Sequence, residues 1–340
     1  MILILNCGSQ SIKWKLFKEN LKPEKSGHRE IFHKNNYPSV LREELSKIKK
    51  TGEKIDAVGH RVVHGGEKFR KPASITGELL KRIGEFNRFA PLHNPFNLLG
   101  IKTAMSIFPS TPQIAVFDTE FFINLPEKTK IYPLPENLRN KYGFIRFGFH
   151  GISHEYAAKE AAKIIKKPFN KLRIITCHLG GGSSIAAIKG GKAIDVSMGF
   201  TPLEGMTMMT RAGSIDPGII LELAKDFSSL KLGQILNFES GLKGICGMSD
   251  MLAVLDAIKK KNKKAKLALD IFAYSIQKYI GAYFGILGGC DLLIFTGAVG
   301  AGSSQIRRMI CKNLTILKNT RVLSIKTDEE LAIAQKIKKF

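Results

Sequence analysis

Two segments of the chain share one pattern of apolar and small polar residues. Residues 2–17 read ILILNCGSQSIKWKLF, and residues 174–189 read IITCHLGGGSSIAAIK. In each, an apolar β-prone run is followed by a Gly/Ser-rich turn and a second β-prone run, which predicts a β-hairpin. Glycine permits a positive φ or a close approach to a ligand, and serine hydroxyls with successive N–H groups suit a small anion. Since one such hairpin opens each half, we predict a duplicated fold with phosphate in the cleft between the halves.

The rest of the pattern predicts alternating strands and helices. The polar Lys/Glu-rich stretch 18–54 indicates a loop or surface helix, and IDAVGHRVVHGG from Ile55 indicates a strand that ends in a His/Gly loop. Loops are predicted at 90–97, at 142–154, over the stretch DVSMGFTPLEGMTMMTRAGSIDP and in the Gly-rich AVGAGSS. Further strands are predicted at 113–118 and 291–297, and helices at 76–89, 98–106, 155–166, 219–226, 265–285 and 328–339.

Length and composition indicate a two-domain protein of the cytoplasm. A chain of 340 residues exceeds the size at which a single core stops growing. Hydrophobic residues at 44% and charged residues at 24% are ordinary for a globular protein, and neither a long apolar run nor a basic leader indicates a membrane span or signal peptide. The five cysteines are scattered without a CxxC pair, which favours reduced thiols over disulfides or zinc.

The formal net charge of +24 raises the question of an anionic partner. The lysines are diffuse apart from the run at 259–264 and the tail at 336–339, and no aromatic ladder or zinc-finger spacing accompanies them. A solvated helix face is therefore favoured over a nucleic-acid or membrane partner, and attraction of phosphorylated substrates remains a side benefit.

The chemically suggestive residues fall at strand ends and in loops, where sites are usually built. Arginine fits carboxylates and phosphates, histidine can stabilise a phosphoryl oxygen, and carboxylates suit Mg²⁺. The GxxxxGK[ST] motif of P-loop enzymes and the protein-kinase motifs are missing from the sequence. The residues alone thus predict a phosphate-handling enzyme with two domains. Its candidate groups are His60, Arg61, His64, Asp118, His150, His154, Arg211 and the acidic run 328–330.

A set of segments along the chain resembles the signature segments of acetate kinases, in that family's order. They are NCGSQSIK, GHRVVHGGEKF, APLHNP, VFDT, FGFHGISHEYA, CHLGGGSSIAAIKGGKAIDVSMGFTPLEGMTMMTRAG and TDEELAIA. The resemblance implies an α/β fold of two ribonuclease-H-like (actin-like ATPase) domains with a duplicated core and an interdomain active-site cleft. The implied domains are 1–150, completed by the C-terminal helix 328–340, and the nucleotide-side domain 151–327.

The resemblance also implies reversible transfer of the γ-phosphoryl of ATP to acetate, with Mg²⁺ or alternatively Mn²⁺. Two residues match the metal site, Asn6 and Glu329. The implied catalytic residues are Arg61, Asp118, His150 and Arg211. The implied substrate residues, including an apolar pocket for the acetate methyl, are Arg61, Val63, Leu92, His93, Phe149 and Pro202.

The implied phosphate and nucleotide positions lie in four segments. The first phosphate loop contributes Ser9, Ser11 and Lys13, and the second contributes His178, Leu179, Gly180, Gly181 and Gly182. The adenosine positions are Asp250, Met251, Leu252, Ala298, Val299, Gly300, Ala301 and Gly302. At 181, 251–252 and 301–302 the chain lacks the polar or aromatic side chains that are usual in the family.

Three functions follow from this comparison. The favoured one is an ATP-dependent acetate kinase. The second is a kinase for propionate or another short-chain acyl group, or one with a different phosphoryl donor. The third, a catalytically weak binding relative, is disfavoured by the intact acyl and phosphoryl residues. The expected partners are small molecules, with no nucleic acid and no membrane, and the family implies a homodimer.

Overall fold

The computed structural model describes residues 1–9, 11–31, 33–67, 69, 71–91 and 93–340. The chain divides into two compact units. Unit 1 comprises Met1–Ile123, Phe149–Ile152 and Asp328–Phe340, and unit 2 comprises Asn124–Gly148 and Ser153–Thr327. Among the described helices, none is both long and apolar enough to cross a membrane. The domain boundary at residue 150 stays a prediction.

The described residues of unit 1 form six strands and four complete α-helices. The strands are β1 (Ile2–Cys7), β2 (Ser11–Phe17), β3 (Pro23–Glu30), β4 (Ala57–Val62), β5 (Ala73–Ser74) and β6 (Gln113–Phe117). The helices of this unit are α1 (Tyr37–Lys50), α2 (Gly77–Glu85), α3 (Asn94–Ile107) and, at the C-terminus, α14 (Glu329–Ile337). Single 3₁₀ turns lie at Lys34–Asn36, Phe86–Arg88 and Glu120–Phe122.

The sheet of unit 1 has the order β3-β2-β1-β4-β6-β5. The predicted first hairpin is present, because β1 pairs antiparallel with β2. β1 then pairs parallel with β4, and β4 pairs parallel with β6. Parallel neighbours end at the same edge of a sheet, so the residues that follow β1, β4 and β6 are brought together there.

Helices cover both faces of this sheet. Successive side chains of β1 point to opposite faces, and those of residues 3–7 are all buried, so both faces must be covered. Leu3 and Leu5 pack with residues of α1 and α3 in one core. On the opposite face, Ile4 lies beside α14, and a Cβ on Gly59 would clash with Ile4 and with Ile337 of that helix. The last helix of the chain therefore packs directly on the first strand, and Gly59 permits the close approach.

Unit 2 contains five strands and most of the helices. The strands are β7 (Arg173–Leu179), β8 (Ser183–Lys189), β9 (Lys192–Val196), β10 (Leu292–Thr296) and β11 (Arg321–Ser324). The helices up to the middle of the unit are α4 (Glu127–Lys130), α5 (Glu136–Tyr142), α6 (Gly151–Ile164, of which the first two residues belong to unit 1), α7 (Pro217–Leu223) and α8 (Ser229–Gln234). The remaining helices are α9 (Gly241–Cys246), α10 (Met251–Lys259), α11 (Lys263–Leu287), α12 (Gly297–Gly302) and α13 (Ser304–Cys311). Short 3₁₀ turns lie at Phe169–Lys171 and Thr315–Leu317, and a π-helical turn at Ile235–Glu239.

The sheet of unit 2 repeats the connectivity of the first sheet. Its order is β11-β10-β7-β8-β9. β7 pairs antiparallel with β8 and parallel with β10, and β10 pairs parallel with β11. In the first sheet β1 likewise pairs antiparallel with β2 and parallel with β4, and β4 pairs parallel with β6. The duplicated core predicted from the two hairpins is confirmed.

Four element predictions differ from the structure. β3 lies in the stretch predicted as loop or helix. Its polar residues are almost all exposed, so its sequence shows no hydrophobic alternation. The strand still forms because an edge strand can be held in a sheet by main-chain hydrogen bonds alone. α3 begins at Asn94, inside the predicted loop, since a proline is tolerated in a first turn. α6 begins at Gly151, so His154 lies in a helix rather than a loop. The Gly-rich AVGAGSS forms the short helix α12, whose small residues allow close packing on β7.

Candidate active site

Arg61 and Asp118 form a buried ion pair at the sheet edge of unit 1. Arg61 is near the end of β4 and Asp118 directly follows β6, the parallel neighbour of β4. The Arg61 Nη2 lies 2.6 Å from Asp118 Oδ2, and Nε lies 3.1 Å from the same oxygen. Burial lowers the pKa of the guanidinium, but Asp118 and Glu329 outweigh it and raise that pKa above its ordinary value. Burial raises the pKa of Asp118 while Arg61 opposes the rise, and at this separation the pair stays charged at neutral pH.

Acidic residues of the C-terminal helix complete this cluster. Arg61 Nη1 lies 3.1 Å from Glu329 Oε2 and donates to Asn6 Oδ1 at 3.3 Å. The Asn6 amide in turn donates to Glu329 and to Glu330, at 3.2 Å each. Lys15 pairs with Asp328 at 2.8 Å, next to the helix start. The predicted residues Asn6, Arg61, Asp118 and Glu329 thus lie together.

Oxygen donors of this cluster have the chemistry that Mg²⁺ prefers. Three carboxylates, those of Asp118, Glu329 and Glu330, are grouped with one guanidinium, which leaves negative charge in surplus. In the part of the chain that the structure describes, no group of three or more His, Cys, Asp or Glu residues has the spacing of a metal site. The donor set fits the predicted metal, although Glu329 and Asn6 presently bind Arg61.

His150 is held in an uncommon backbone conformation beside this cluster. Its φ is +58°, in the left-handed region that non-glycine residues rarely adopt. The next residue, Gly151, donates its N–H to the Asp118 carbonyl at 2.9 Å, and a Cβ at this position would clash with that carbonyl. The glycine in the sequence FGFHG therefore allows the turn that carries His150 to reach the end of β6.

The predicted apolar substrate residues of unit 1 are buried in a hydrogen-bonded frame. Val63 and Phe149 are 5% and 1% exposed. The Val63 N–H donates to Asn97 Oδ1 at 3.0 Å, and the ring of Phe149 meets His64 edge-on. His93 immediately precedes α3, on the segment that carries Asn97. Leu92 lies outside the described residues, and Pro202 lies in unit 2, where it is half-buried.

The two predicted phosphate loops are the turns of the two hairpins. In the first, the Gly8 N–H donates to the Ser11 carbonyl at 2.9 Å, Ser9 and Ser11 are partly exposed, and Lys13 is exposed. In the second, Gly180 N–H donates to Ser183 Oγ at 3.3 Å, and Gly181 is exposed. His178 and Leu179 are the last two residues of β7 and are buried.

Arg211 is a buried cation of unit 2 that has no anionic partner in the described part of the chain. It is 9% exposed, and the contact recorded for its guanidinium is to Met208 Sδ at 3.9 Å from Nη1. Among the described residues, no carboxylate lies within ion-pair distance of it. Burial lowers its pKa to about 10. Since a buried charge is costly unless it is paired, this guanidinium fits a bound anion.

The predicted adenosine residues lie at the start of α10 and along the short helix α12, both in unit 2. Asp250 caps α10 by accepting from the Ala253 N–H at 2.8 Å, and the side chain of Met251 packs in the core while that of Leu252 is 76% exposed. The other segment is α12, where the Arg307 guanidinium donates to the Gly300 carbonyl at 2.9 Å and to that of Ala301 at 2.8 Å. Ala298 and Gly302 are exposed, Val299 is partly exposed, and Gly300 is buried.

Some contacts of these sites were missed from sequence. Glu330 belongs to the candidate acidic run 328–330, but only Glu329 was assigned to the metal site, and the bond from Asn6 to Glu330 was not predicted. Asn94 and Asn97 bond to the backbone after β4, and both lie in the Pro/Asn-rich segment noted as a loop. Ser153 binds His178 in unit 2, which no local pattern indicated.

Comparison with known proteins assigns the family. The acetokinase family profile matches residues 38–339. The chain is 40% identical to an acetate kinase of Carboxydothermus hydrogenoformans, over 98% of this chain and 97% of that one. It is similar to the crystal structure of Porphyromonas gingivalis acetate kinase, with a TM-score of 0.87, 37% identity and 98% of both chains covered. It is also similar to a propionate kinase structure from Francisella tularensis, with a TM-score of 0.88, 36% identity and 98% coverage of both. With this agreement along nearly its whole length, the chain belongs to the acetokinase family.

Proposed function

We propose that the protein is an acetate kinase, which transfers the γ-phosphoryl group of ATP to acetate and gives acetyl phosphate and ADP. Family membership and the names of its relatives support this. An acetate oxygen forms a bond to the γ-phosphorus while the bond from that phosphorus to the β–γ bridging oxygen breaks. Because acetate is ionised at neutral pH, no general base is needed, and catalysis rests on positioning and on neutralised charge.

The buried guanidinium of Arg211 is the observation that carries the proposal. A desolvated cation without a carboxylate partner gains most from an anionic ligand, and its planar fork fits a carboxylate or phosphoryl group through two hydrogen bonds. We assign Arg211 to the acyl carboxylate and the phosphoryl group in transfer. Its interaction strengthens as charge spreads over the equatorial oxygens in the transition state.

Arg61 receives the corresponding role in unit 1. Its contacts to Asp118 and Glu329 fix the guanidinium plane and keep it charged. Asp118, at 1% exposure, acts in this proposal by orienting Arg61. The catalytic role expected for this aspartate is therefore electrostatic rather than that of a base.

His150 and the buried apolar residues complete the acyl side. We assign the His150 imidazole to a transferring phosphoryl oxygen, and its strained backbone is consistent with a function that maintains it. Val63 and Phe149 are assigned to the acetate methyl, with His93, Leu92 and Pro202 as further substrate residues.

Asn6 and Glu329 are the residues that would hold Mg²⁺. Their oxygen donors and the surplus of negative charge around Arg61 fit a divalent cation. When bound with ATP, the metal supplies neutralisation of phosphate charge. On the nucleotide side, we assign Ser9, Ser11, Lys13 and the segment 178–182 to phosphates, and 250–252 and 298–302 to adenosine. A homodimer is proposed on the family resemblance.

The test is a hydroxamate assay that traps acetyl phosphate, run with purified protein. The substrates are acetate and propionate, each with ATP, GTP or pyrophosphate and Mg²⁺. We expect hydroxamate from acetate and ATP, and loss of the signal in an identically purified Arg211→Met protein, which controls for host kinases. Absence of product with every donor, or equal product from the variant, overturns the proposal.

Propionate is the second candidate substrate, because a propionate kinase is among the similar structures. One methylene in an apolar pocket changes discrimination by about 1–3 kcal/mol, so both acids are expected to react. Competition between the two acids for limiting enzyme gives the ratio of their kcat/KM values. A ratio that favours propionate would reassign the substrate within the same reaction.

A further inference from the structure

The loop that carries Pro202 is fixed within unit 2 at both of its ends. This Pro202 loop comprises residues 199–205 and lies between β9 and α7. At its first residue, the Gly199 carbonyl accepts from two successive backbone N–H groups, at 3.1 and 3.3 Å. At its last residue, the Gly205 N–H donates to Ser214 Oγ at 3.1 Å, and the Gly205 carbonyl accepts from the Ser214 N–H at 2.7 Å.

A single phenol, that of Tyr132, holds the loop on both sides of Pro202. The Phe200 N–H donates to Tyr132 Oη at 2.8 Å, and the same hydroxyl donates to Glu204 Oε2. Because a backbone N–H can only donate, the phenol oxygen accepts from Phe200, and its own proton is left for the carboxylate. The two residues that Tyr132 holds lie two positions before and two positions after Pro202 in the sequence.

The second oxygen of the Glu204 carboxylate is held by Arg146. Arg146 Nη2 lies 2.7 Å from Glu204 Oε1, while Nη1 donates to the Val196 carbonyl and Nε to the Thr129 carbonyl, at 3.1 Å each. The guanidinium is therefore fixed to the main chain as well as to the loop. Burial raises the pKa of Tyr132 above its ordinary value, so the phenol keeps its proton at neutral pH. Glu204 thus lies between two donors, and only a carboxylate offers an acceptor oxygen to each.

Gly199 leaves the space that these groups require. A Cβ at this position would clash with the Glu204 carboxylate and with the Tyr132 hydroxyl. The φ of Gly199 is not positive, so its backbone conformation does not itself require glycine. The residue is needed for the close approach of the two side chains to the main chain of the loop.

We propose that Tyr132 is a positioning residue for the acyl substrate, which together with Glu204 keeps the Pro202 loop rigid, so that Pro202 forms a fixed wall that limits the length of the acyl chain. The wall rests on the proposed function, in which Pro202 is a substrate residue, whereas the anchoring of the loop does not. A fixed wall discriminates against a longer acid because extra methylene groups fit only if packed atoms move. A loop that has lost its anchor moves at less cost and accepts the longer acid more readily.

Two variants break this chain of hydrogen bonds, and a third is the matched control. Tyr132→Phe deletes only the hydroxyl, and Glu204→Gln leaves a single acceptor oxygen for two donors. Tyr283→Phe is the control, because Tyr283 is a buried tyrosine of unit 2 whose phenol hydrogen-bonds to another carboxylate, that of Asp195 on β9. Unfolding curves establish that each protein is folded.

The first measurement is hydrogen–deuterium exchange of the ligand-free protein, read by mass spectrometry on peptides that cover the Pro202 loop. Peptides from β10 serve as the reference for opening of the whole unit. We expect loop exchange to be about tenfold faster, relative to β10, in Tyr132→Phe and in Glu204→Gln, because each loses a hydrogen bond to a charged group. Tyr283→Phe should stay within about twofold of wild type. Unchanged loop exchange in Tyr132→Phe overturns the proposal, whether or not the protein is a kinase.

The second measurement is the hydroxamate assay with acetate, propionate or butyrate as the acid. We expect the ratio of kcat/KM for acetate to that for butyrate to fall about tenfold in Tyr132→Phe and Glu204→Gln, while KM for ATP stays within about twofold. Tyr283→Phe should keep the wild-type ratio. A purely structural role would lower stability and leave the ratio unchanged, and that result overturns the wall. Wild-type protein that phosphorylates none of the acids would instead defeat the proposed function and the wall with it, while the exchange rates still decide the anchor.

A double-mutant cycle with Pro202→Ala tests whether Tyr132 acts through Pro202. Pro202→Ala shortens the wall directly and should also lower the acetate-to-butyrate ratio. In this background Tyr132→Phe should change the ratio by less than about twofold, because the wall that it would loosen is already removed. Independent effects of the two substitutions on the ratio overturn the proposal.

Discussion

Replacing Arg211 with methionine should raise stability and abolish activity at the same time. Burial lowers the pKa of this guanidinium from an ordinary 12.5 to about 10. At about 1.36 kcal/mol for each pKa unit, the folded protein bears a cost of about 3 kcal/mol for the buried charge. Methionine has a similar length, carries no charge and packs well in irregular apolar space, so Arg211→Met should remove most of this cost.

Activity should change in the opposite direction. If Arg211 neutralises the carboxylate and the phosphoryl group, its loss costs on the order of 10²–10⁵ in kcat/KM. The hydroxamate assay measures this loss, and thermal unfolding measures the gain. A gain of about 3 kcal/mol corresponds to an increase in Tm of about 6–12 °C for a unit of this size.

Arg146 provides the matched control, because it is a partly buried arginine of unit 2 that has a carboxylate partner. Its Nη2 lies 2.7 Å from Glu204 Oε1. Arg146→Met removes the cation that pairs with that carboxylate and should therefore destabilise the protein by about 1–3 kcal/mol. If Arg211→Met destabilises as much as Arg146→Met and retains activity, Arg211 is an ordinary structural residue and the reasoning is refuted.

Four further predictions concern the metal, pH, backbone strain and nucleotide. Glu329→Gln keeps the shape of the side chain and deletes its charge. We expect a folded protein with much lower turnover and, in a metal titration, a raised Mg²⁺ requirement. An unchanged Mg²⁺ dependence would mean that Glu329 only stabilises the helix start, an effect worth about 0.3–1 kcal/mol. Burial lowers the pKa of His60 from 6.5 to about 4, and a hydrogen bond to Gln113 opposes this shift. Between these pH values the unfolded chain binds a proton that the folded protein does not. The free energy of unfolding should therefore fall by about 3 kcal/mol as pH falls from 6.5 to 4. Urea midpoints at intermediate pH should show a shallower fall in His60→Gln, and equal slopes would contradict this. Asparagine tolerates a left-handed backbone, so His150→Asn should fold normally while its kcat falls at least about 10²-fold. The control is Lys166→Gly, at another left-handed position (φ +55°), which should leave kcat unchanged and raise Tm slightly. Steady-state KM values should be high for ATP, with weak discrimination against GTP and ITP; a low-micromolar KM with strong rejection of GTP would show a well-formed base pocket.

The sequence determined the duplicated architecture because the relevant signals are local. An apolar run, a Gly/Ser turn and a second apolar run specify a hairpin without reference to distant residues, and this pattern occurs at 2–17 and 174–189. The long helix α11 was predicted to within two residues at each end for the same reason. β3 gave no such signal, since its exposed side chains contribute little to its position at the sheet edge.

The site residues were predicted partly from the family resemblance, whereas their positions relative to one another were decided by the tertiary structure. Strand ends at Arg61 and Asp118 could be read from the sequence, but their ion pair exists because β4 and β6 are parallel neighbours. Glu329 reaches the same cluster only because α14 packs across β1, a contact between residues over 300 positions apart.

The electrostatic state of each group was decided by three-dimensional burial. Arg61 and Arg211 are the same residue type, each close to a glycine in sequence, and the family resemblance suggested related roles for both. In the folded protein the Arg61 guanidinium is surrounded by carboxylates, whereas no described carboxylate pairs with that of Arg211, so burial and pairing shift their pKa values in opposite directions. Sequence periodicity specifies which side chains turn inward, whereas only packing specifies which charges they meet there.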